Sequence, residues 1–184
     1  YITTTCLCQL LQRFWQFPWI IFEQLQILLQ EVFKLTITLT QKERMLLEDL
    51  KNSEEICVVK YANYASLAQD KQLKTLFENH AKLEQQHLNT VNSLLSGQIP
   101  PMSQQNNVQQ PQGDENASLS ISDKELCTDM LMTEKHVSST YNTAIFEFAD
   151  KRVRDILNHI QKEEQQHGEA IFKYMETKGL YQPQ

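Results

Sequence analysis

The sequence predicts an all-α protein, and three observations carry that prediction. Only four of the 184 residues are glycine and five are proline, whereas Leu, Glu, Gln and Lys, which favour helices, are abundant. Apolar residues recur at spacings of three and four over four long stretches, which is typical of helices with one buried face. A set of identical residues also recurs at a fixed offset, which indicates two similar helical hairpins packed as a four-helix bundle.

The repeat relates residues that lie eighty positions apart. In each copy a glutamate is followed thirty residues later by the tetrad Glu-Gln-Gln-His. The pairs are Glu54 and Glu134, Tyr61 and Tyr141, Asp70 and Asp150, Lys71 and Lys151, Lys82 and Lys162, Glu84 and Glu164, and His87 and His167. Because the correspondence needs no gap, we interpret it as a duplicated helical hairpin.

The first hairpin is predicted over residues 39–96. Thr40-Gln41-Lys42-Glu43 has the capping-box pattern of a helix N-terminus, and the apolar face of that helix continues to Ala68. Asp70 suits the N-cap of a second helix, whose apolar face continues to Leu94. These signals predict two helices joined by a short turn.

The second hairpin, predicted over residues 120–184, follows the same scheme. Ser122-Asp123-Lys124-Glu125 is another capping box, and Asp150 again suits an N-cap. The last helix is expected to end near Lys178-Gly179, where glycine suits the C′ position. Residues 97–119 are rich in Gln, Asn and Pro without apolar periodicity, so we predict a flexible linker. A linker of this length can run back along a helix and form a long crossover connection.

Residues 1–38 do not follow this pattern. The run from Phe14 to Phe22 is strongly apolar, but it lacks the basic start, continuous apolar core and small-residue cleavage site of a signal peptide. Arg13 and Pro18, with further acidic residues and glutamines, argue against a transmembrane helix. Three interpretations stay open: an extra amphipathic helix, a partner-binding segment, or upstream sequence wrongly joined to the gene. We assign this segment no function.

Charge and cysteine usage narrow the class of protein. A net charge of −6 and a pI near 5.4 argue against nucleic-acid binding, which needs a basic surface. Cys6, Cys8, Cys57 and Cys127 show neither zinc-type spacing nor a disulfide framework. Cys57 and Cys127 fall on apolar helical faces, where a free cysteine packs as a small hydrophobic residue. We therefore expect synthesis in the cytoplasm, without a signal peptide.

Four glutamates fall on the apolar faces of the predicted helices, and two of them are followed by a histidine three residues later. Packing the helices would bring four repelling carboxylates into the core, where each unpaired charge costs on the order of several kcal/mol. Either the carboxylates are protonated, or two divalent cations neutralise them and the imidazoles complete the coordination. We predict a dinuclear site for two iron or manganese ions, with zinc as a further option. The predicted ligands are Glu54, Glu84, His87, Glu134, Glu164 and His167.

Three other residues are predicted to support the ligands. Tyr61 and Tyr141 lie two turns beyond the first glutamate of each hairpin. They are candidates for hydrogen bonding into the site or for electron transfer, although packing in the core would also explain them. His80 lies one turn before Glu84, but its counterpart in the repeat is Ile160. It is therefore expected to be a supporting or core histidine rather than a ligand.

The remaining acidic and histidine neighbours are weaker candidates. Glu55 and Glu163 would replace the adjacent ligands only if the register were shifted by one residue, and the repeat argues against this shift. His136 and His159 lie off the ligand faces and are expected to be solvated. No catalytic residue can be assigned.

Parts of both hairpins resemble a known family. Residues Thr133–Thr143, Ile160–Gly168 and Tyr174–Tyr181 resemble the spore coat protein F family of endospore-forming bacteria. The similarity is close over residues 120–182 and weaker over residues 40–95. It implies a ferritin-like fold, a place in or beneath the spore coat, and a structural role. The pattern of six ligands also resembles rubrerythrin and manganese catalase, which use such sites for peroxide chemistry.

Two functions from different classes follow from these observations. The favoured one is a structural protein of the spore coat that binds other coat proteins and further copies of itself, but not nucleic acid or membrane. The alternative is a di-iron or di-manganese oxidoreductase of the catalase, peroxidase or ferroxidase type. Glu84 and Glu164 would then bridge the metals, Glu54 and Glu134 would be terminal ligands, and each metal would bind one histidine. The lack of a rubredoxin-like Cys-x-x-Cys pair argues against reductive peroxidase chemistry.

Overall fold

The computed structural model describes residues 23–27, 36–100 and 121–182. The chain divides into two units, Tyr1–Ile37 and Thr38–Gln184, and residues 23–27 of the first unit are helical. The second unit contains four helices, which are α1 (Gln41–Leu67), α2 (Lys71–Leu95), α3 (Asp123–Glu147) and α4 (Lys151–Thr177). None of the described helices is both long and apolar enough to cross a membrane.

Two predicted segments lie mostly outside the described residues: the apolar segment 1–38 and the linker 97–119. The predicted domain boundaries therefore stay a prediction. Duplication of the hairpin likewise stays a hypothesis.

All four helices begin at the caps that the sequence indicates. Thr40 and Ser122 each form a complete capping box with the glutamate three residues later. Asp70 and Asp150 each accept a hydrogen bond from the backbone N–H two residues later. Because these caps bond N–H groups that have no partner inside the helix, they fix the helix starts. At the other end, α4 stops before Gly179, whose φ of 68° is a left-handed conformation that glycine adopts readily.

The helices pack into the predicted ferritin-like bundle. α1 pairs with α2 and α3 with α4, while α1 also contacts α3 and α2 contacts α4. The interior is built from the predicted apolar faces, and Cys57 and Cys127 are buried there without a disulfide. Apolar residues near the α1–α2 turn, including Phe77 and Met130, form a cluster that reaches Tyr61. Beyond Tyr61 the interior becomes polar, and this change defines the candidate site.

Candidate metal centre

The middle of the bundle holds a buried polar cluster to which every helix contributes. Its six side chains are at most 3% exposed, because each replaces an apolar residue on the inward face of its helix. The cluster consists of Glu54 from α1, Glu84 and His87 from α2, Glu134 from α3, and Glu164 and His167 from α4. The structure thus brings together all six residues that the sequence singles out.

The donor atoms of this cluster form two overlapping groups. Within each group, one atom from each residue lies within 4.8 Å of the others. The first group is Glu54, Glu84, His87 and Glu164, and the second is Glu84, Glu134, Glu164 and His167. Each group has three carboxylates and one imidazole, and two carboxylates are shared. Such an arrangement could hold two neighbouring cations, with Glu84 and Glu164 available to both.

Both imidazoles turn Nδ1 toward the shared carboxylates. His167 Nδ1 lies 2.8 Å from Glu84 Oε1. His87 Nδ1 lies 2.9 Å from Glu164 Oε1 and 3.3 Å from Glu84 Oε2. An imidazole nitrogen among carboxylate oxygens is placed to bind the same cation as they do.

The two predicted tyrosines connect the hairpins through the site. Tyr61 in α1 donates a hydrogen bond to Glu134 Oε1 in α3, and Tyr141 in α3 donates one to Glu54 Oε1 in α1. The other oxygen of each glutamate, Oε2, has no hydrogen-bond partner within the described residues. Each tyrosine therefore orients a carboxylate of the opposite hairpin, while electron transfer stays a hypothesis.

Glu163 has a role that the sequence did not reveal. Its Oε2 lies 3.0 Å from His87 Nε2, the ring nitrogen that faces away from the cluster. It also lies 3.4 Å from Nε2 of the exposed His159. Glu55, the other weak candidate, is half-exposed and lies 3.6 Å from Lys51 Nζ. Glu163 and His87 belong to different helices, so spacing along the chain could not pair them.

His80 is a buried supporting residue on the other side of the cluster. Its ring stacks on His167 with 4.3 Å between centroids and meets Tyr61 edge to face. Its Nδ1 has no hydrogen-bond partner in the part of the chain that the structure describes. Burial, with a smaller contribution from the charge of His167, lowers the pKa of His80 to about 3, so the ring is neutral.

Burial dominates the protonation of the cluster. It raises the pKa of Glu54, Glu84 and Glu164, and that of Glu134 to about 9, with further increases from neighbouring glutamates. Without cations, the cluster therefore holds protons at neutral pH.

The two imidazoles respond differently to burial. Burial lowers the pKa of His167 despite the charges of Glu134 and Glu164 nearby. His87 is equally buried, but the hydrogen bond to Glu163, the close approach of Glu164 and the hydrogen bond to Glu84 raise its pKa well above the ordinary value. The two ends of the cluster thus differ in electrostatics as well as in contacts.

The residues present fit a pair of divalent cations. The buried oxygens Glu54 Oε2, Glu134 Oε2 and both of Glu164 have no hydrogen-bond partner among the described residues. The 2.9 Å approach of His87 to Glu164 lacks the alignment of a hydrogen bond. Since buried polar atoms nearly always have partners, these oxygens are available to bind a cation. Two divalent cations would also balance four carboxylates, and an oxygen-rich set with imidazole suits manganese or iron.

The second hairpin is similar to a known protein family. Residues 122–184 match the family model of the Coat F domain. The predicted resemblance to the spore coat protein F family is confirmed by this match, whose residues include Glu134, Glu164 and His167.

Solved structures extend the comparison to most of the chain. A candidate spore coat protein from Bacillus halodurans C-125 is 16% identical, with a TM-score of 0.66 over 80% of this chain and 94% of that chain. Two structures of a manganese catalase from Anabaena are 16% and 18% identical, with TM-scores of 0.60 and 0.61. They cover 77% of this chain and 78% and 74% of their own. At these identities the similarity establishes the ferritin-like fold alone. No curated protein matches the chain.

Proposed function

We propose that this protein is a structural component of the bacterial endospore coat whose bundle holds a dinuclear manganese or iron centre. The Coat F domain at residues 122–184 carries the coat assignment. The fold shared with the candidate spore coat protein supports it, since that match spans 94% of the other chain. The expected partners are other coat proteins and further copies of this chain.

Buried carboxylates destabilise the bundle, and bound cations would offset that loss. Glu84 and Glu164 would bridge the cations, and each half would add one glutamate and one histidine. Bound manganese or iron supplies positive charge and redox capacity. The protein's own part is to hold the ligands on four separate helices, to orient Glu54 and Glu134 through the two tyrosines, and to exclude bulk water. Because such binding requires the folded bundle, it stabilises the folded state.

The coat assignment is tested on purified spores of the source bacterium. Coat proteins extracted from wild-type spores are probed with an antibody against this protein, and a deletion strain is the control. We expect the protein in the coat extract and, by immunogold microscopy, at the coat layers. Recovery only from the spore core would contradict the coat role.

The metal assignment is tested by inductively coupled plasma mass spectrometry on the full chain after loading with Mn²⁺ or Fe²⁺. We expect about two ions per chain, and loss of both in a Glu84→Ala/Glu164→Ala variant. Glu55→Ala is the matched control, because Glu55 is adjacent to a ligand but half-exposed and paired with Lys51. Absence of bound ions in folded wild-type protein, judged by circular dichroism, would contradict the metal centre and leave the coat role intact.

The second candidate is a dinuclear oxidoreductase acting on peroxide. Two overlapping donor groups that share two carboxylates favour it, and the fold is that of a manganese catalase. Because the six ligands are at most 3% exposed, only a small substrate would reach them. An oxygen electrode would detect disproportionation of peroxide by the loaded protein. Activity that is lost in the Glu84→Ala/Glu164→Ala variant would favour the enzyme, and its absence in fully loaded protein would exclude disproportionation.

A further inference from the structure

The imidazoles at the two ends of the polar cluster have different surroundings. We propose that the two metal positions are not equivalent: the position of Glu54 and His87 takes the first ion tightly, and the position of Glu134 and His167 takes the second ion more weakly. This inference rests on the proposed metal centre and adds an order of loading to it.

The structural reason for the tighter position is Glu163. An ionised carboxylate accepts hydrogen bonds but cannot donate them. The 3.0 Å contact between Glu163 Oε2 and His87 Nε2 therefore places a proton on Nε2. When a cation displaces the second ring proton, the lone pair lies on Nδ1, the nitrogen that faces the shared glutamates. A carboxylate on the outer nitrogen also holds the ring plane and increases the basicity of the ligand. The contact with Glu163 therefore fixes which nitrogen of His87 faces the cation.

His167 has no such carboxylate on its outer ring nitrogen among the described residues. Its outer nitrogen, Nε2, is buried and has no hydrogen-bond partner among the described residues. Leu83 is the counterpart of Glu163 in the repeat and cannot accept a hydrogen bond. The ring is instead stacked on His80, and stacking fixes the ring plane without choosing which nitrogen carries the proton.

The other donors of the two positions are matched, so the imidazoles carry the difference. Each position has one terminal glutamate that is oriented by a tyrosine of the opposite hairpin. Each also shares Glu84 and Glu164. Loss of a partner behind a metal-bound histidine typically costs about 10- to 100-fold in metal affinity, and we expect the two positions to differ by that order.

The test is a titration of the metal-free full chain with Mn²⁺, followed by calorimetry and by electron paramagnetic resonance. In the wild type we expect two binding steps separated by roughly 10- to 100-fold. A one-ion species should accumulate before the spin-coupled pair forms. Glu163→Leu, which introduces the residue found in the other copy of the repeat, should weaken the first step by about tenfold or more and leave the second nearly unchanged. Glu163→Gln retains a hydrogen-bond acceptor and should restore part of the affinity.

A reciprocal variant and a surface control complete the experiment. Leu83→Glu should strengthen the second step, and it is tolerable because Leu83 is only partly buried. His136→Ala changes an exposed histidine and should alter neither step. Two equal steps in the wild type, or equal weakening of both steps by Glu163→Leu, would overturn the inference and leave the dinuclear centre standing. Absence of Mn²⁺ binding in the folded wild type would overturn the centre and the inference together.

Discussion

The His87 end and the His167 end of the proposed metal centre have the same candidate ligands but different neighbouring residues. Each has one terminal glutamate held by a tyrosine from the opposite hairpin, and each uses the same two shared glutamates. The repeat diverges at Leu83 and Glu163 and at His80 and Ile160. These differences place a carboxylate behind His87 and a neutral histidine beside His167. A symmetric set of ligands is thus compatible with two chemically distinct positions.

The largest effect expected from this comparison is stabilisation by metal. A single site with free ligand at 100 times its dissociation constant adds about 2.7 kcal/mol to the free energy of unfolding. If the two ends differ, the melting temperature of the metal-free protein should rise in two stages as Mn²⁺ is added. Scanning calorimetry at increasing Mn²⁺, with excess EDTA as the control, measures this rise. A melting temperature that Mn²⁺ does not change would contradict the metal centre.

The next prediction concerns the tyrosine–glutamate hydrogen bonds, which are matched at the two ends. Tyr61→Phe and Tyr141→Phe each remove the hydroxyl that bonds a buried glutamate. Leaving such an oxygen without a donor costs about 1–3 kcal/mol, and the matched contacts predict similar losses. Urea unfolding of the metal-free variants measures the losses, with Tyr64→Phe as a control at a partly buried tyrosine bonded to Asp129. Losses that differ by more than about 1 kcal/mol would show that the tyrosines are not equivalent.

The sequence predicted the bundle and its buried glutamates because both depend on local rules. Capping residues mark helix starts, and a glutamate within an apolar periodicity must point inward. The contact of Glu163 with His87 depends instead on how α4 packs against α2, and spacing along one helix does not encode that packing. Glu43 shows the same limit. Its capping box was evident from the sequence, but its contact with Ala149 of the other hairpin was not.

Glu43 and Glu125 extend the comparison from the metal centre to the helix starts. Both complete a capping box, but Glu43 is buried and also accepts a hydrogen bond from Ala149 N at 3.1 Å. Glu43→Ala should cost about 1–2 kcal/mol, because it removes the glutamate's half of the capping box and leaves the Ala149 N–H unsatisfied. Glu125→Ala, at an exposed residue, should cost less. Urea unfolding of both variants measures the difference, and equal losses would contradict it.

The same glutamate predicts a dependence on pH. Burial alone would raise the pKa of Glu43, but hydrogen bonds from the backbone of Thr40 and Ala149 lower it below the ordinary value of 4.5. A folded-state pKa below the unfolded one means that the stabilisation is present above pH 4.5 and is lost as the pH falls through the folded-state value. The difference in free energy of unfolding between the wild type and Glu43→Ala should therefore become smaller at acidic pH. Unfolding curves at pH 7 and pH 3 measure this change, and a constant difference would contradict it.

The smallest effect concerns His80, which stacks on His167 at one end of the cluster. His80→Ile introduces its counterpart in the repeat and removes a buried Nδ1 that has no partner among the described residues. It also removes the stack on His167, a contact of the size that contributes about 0.5–1.5 kcal/mol. These effects oppose one another, so the free energy of unfolding of the metal-free protein should change by less than about 1 kcal/mol. Urea unfolding is again the measurement. A loss well above 2 kcal/mol would contradict a buried Nδ1 without a partner.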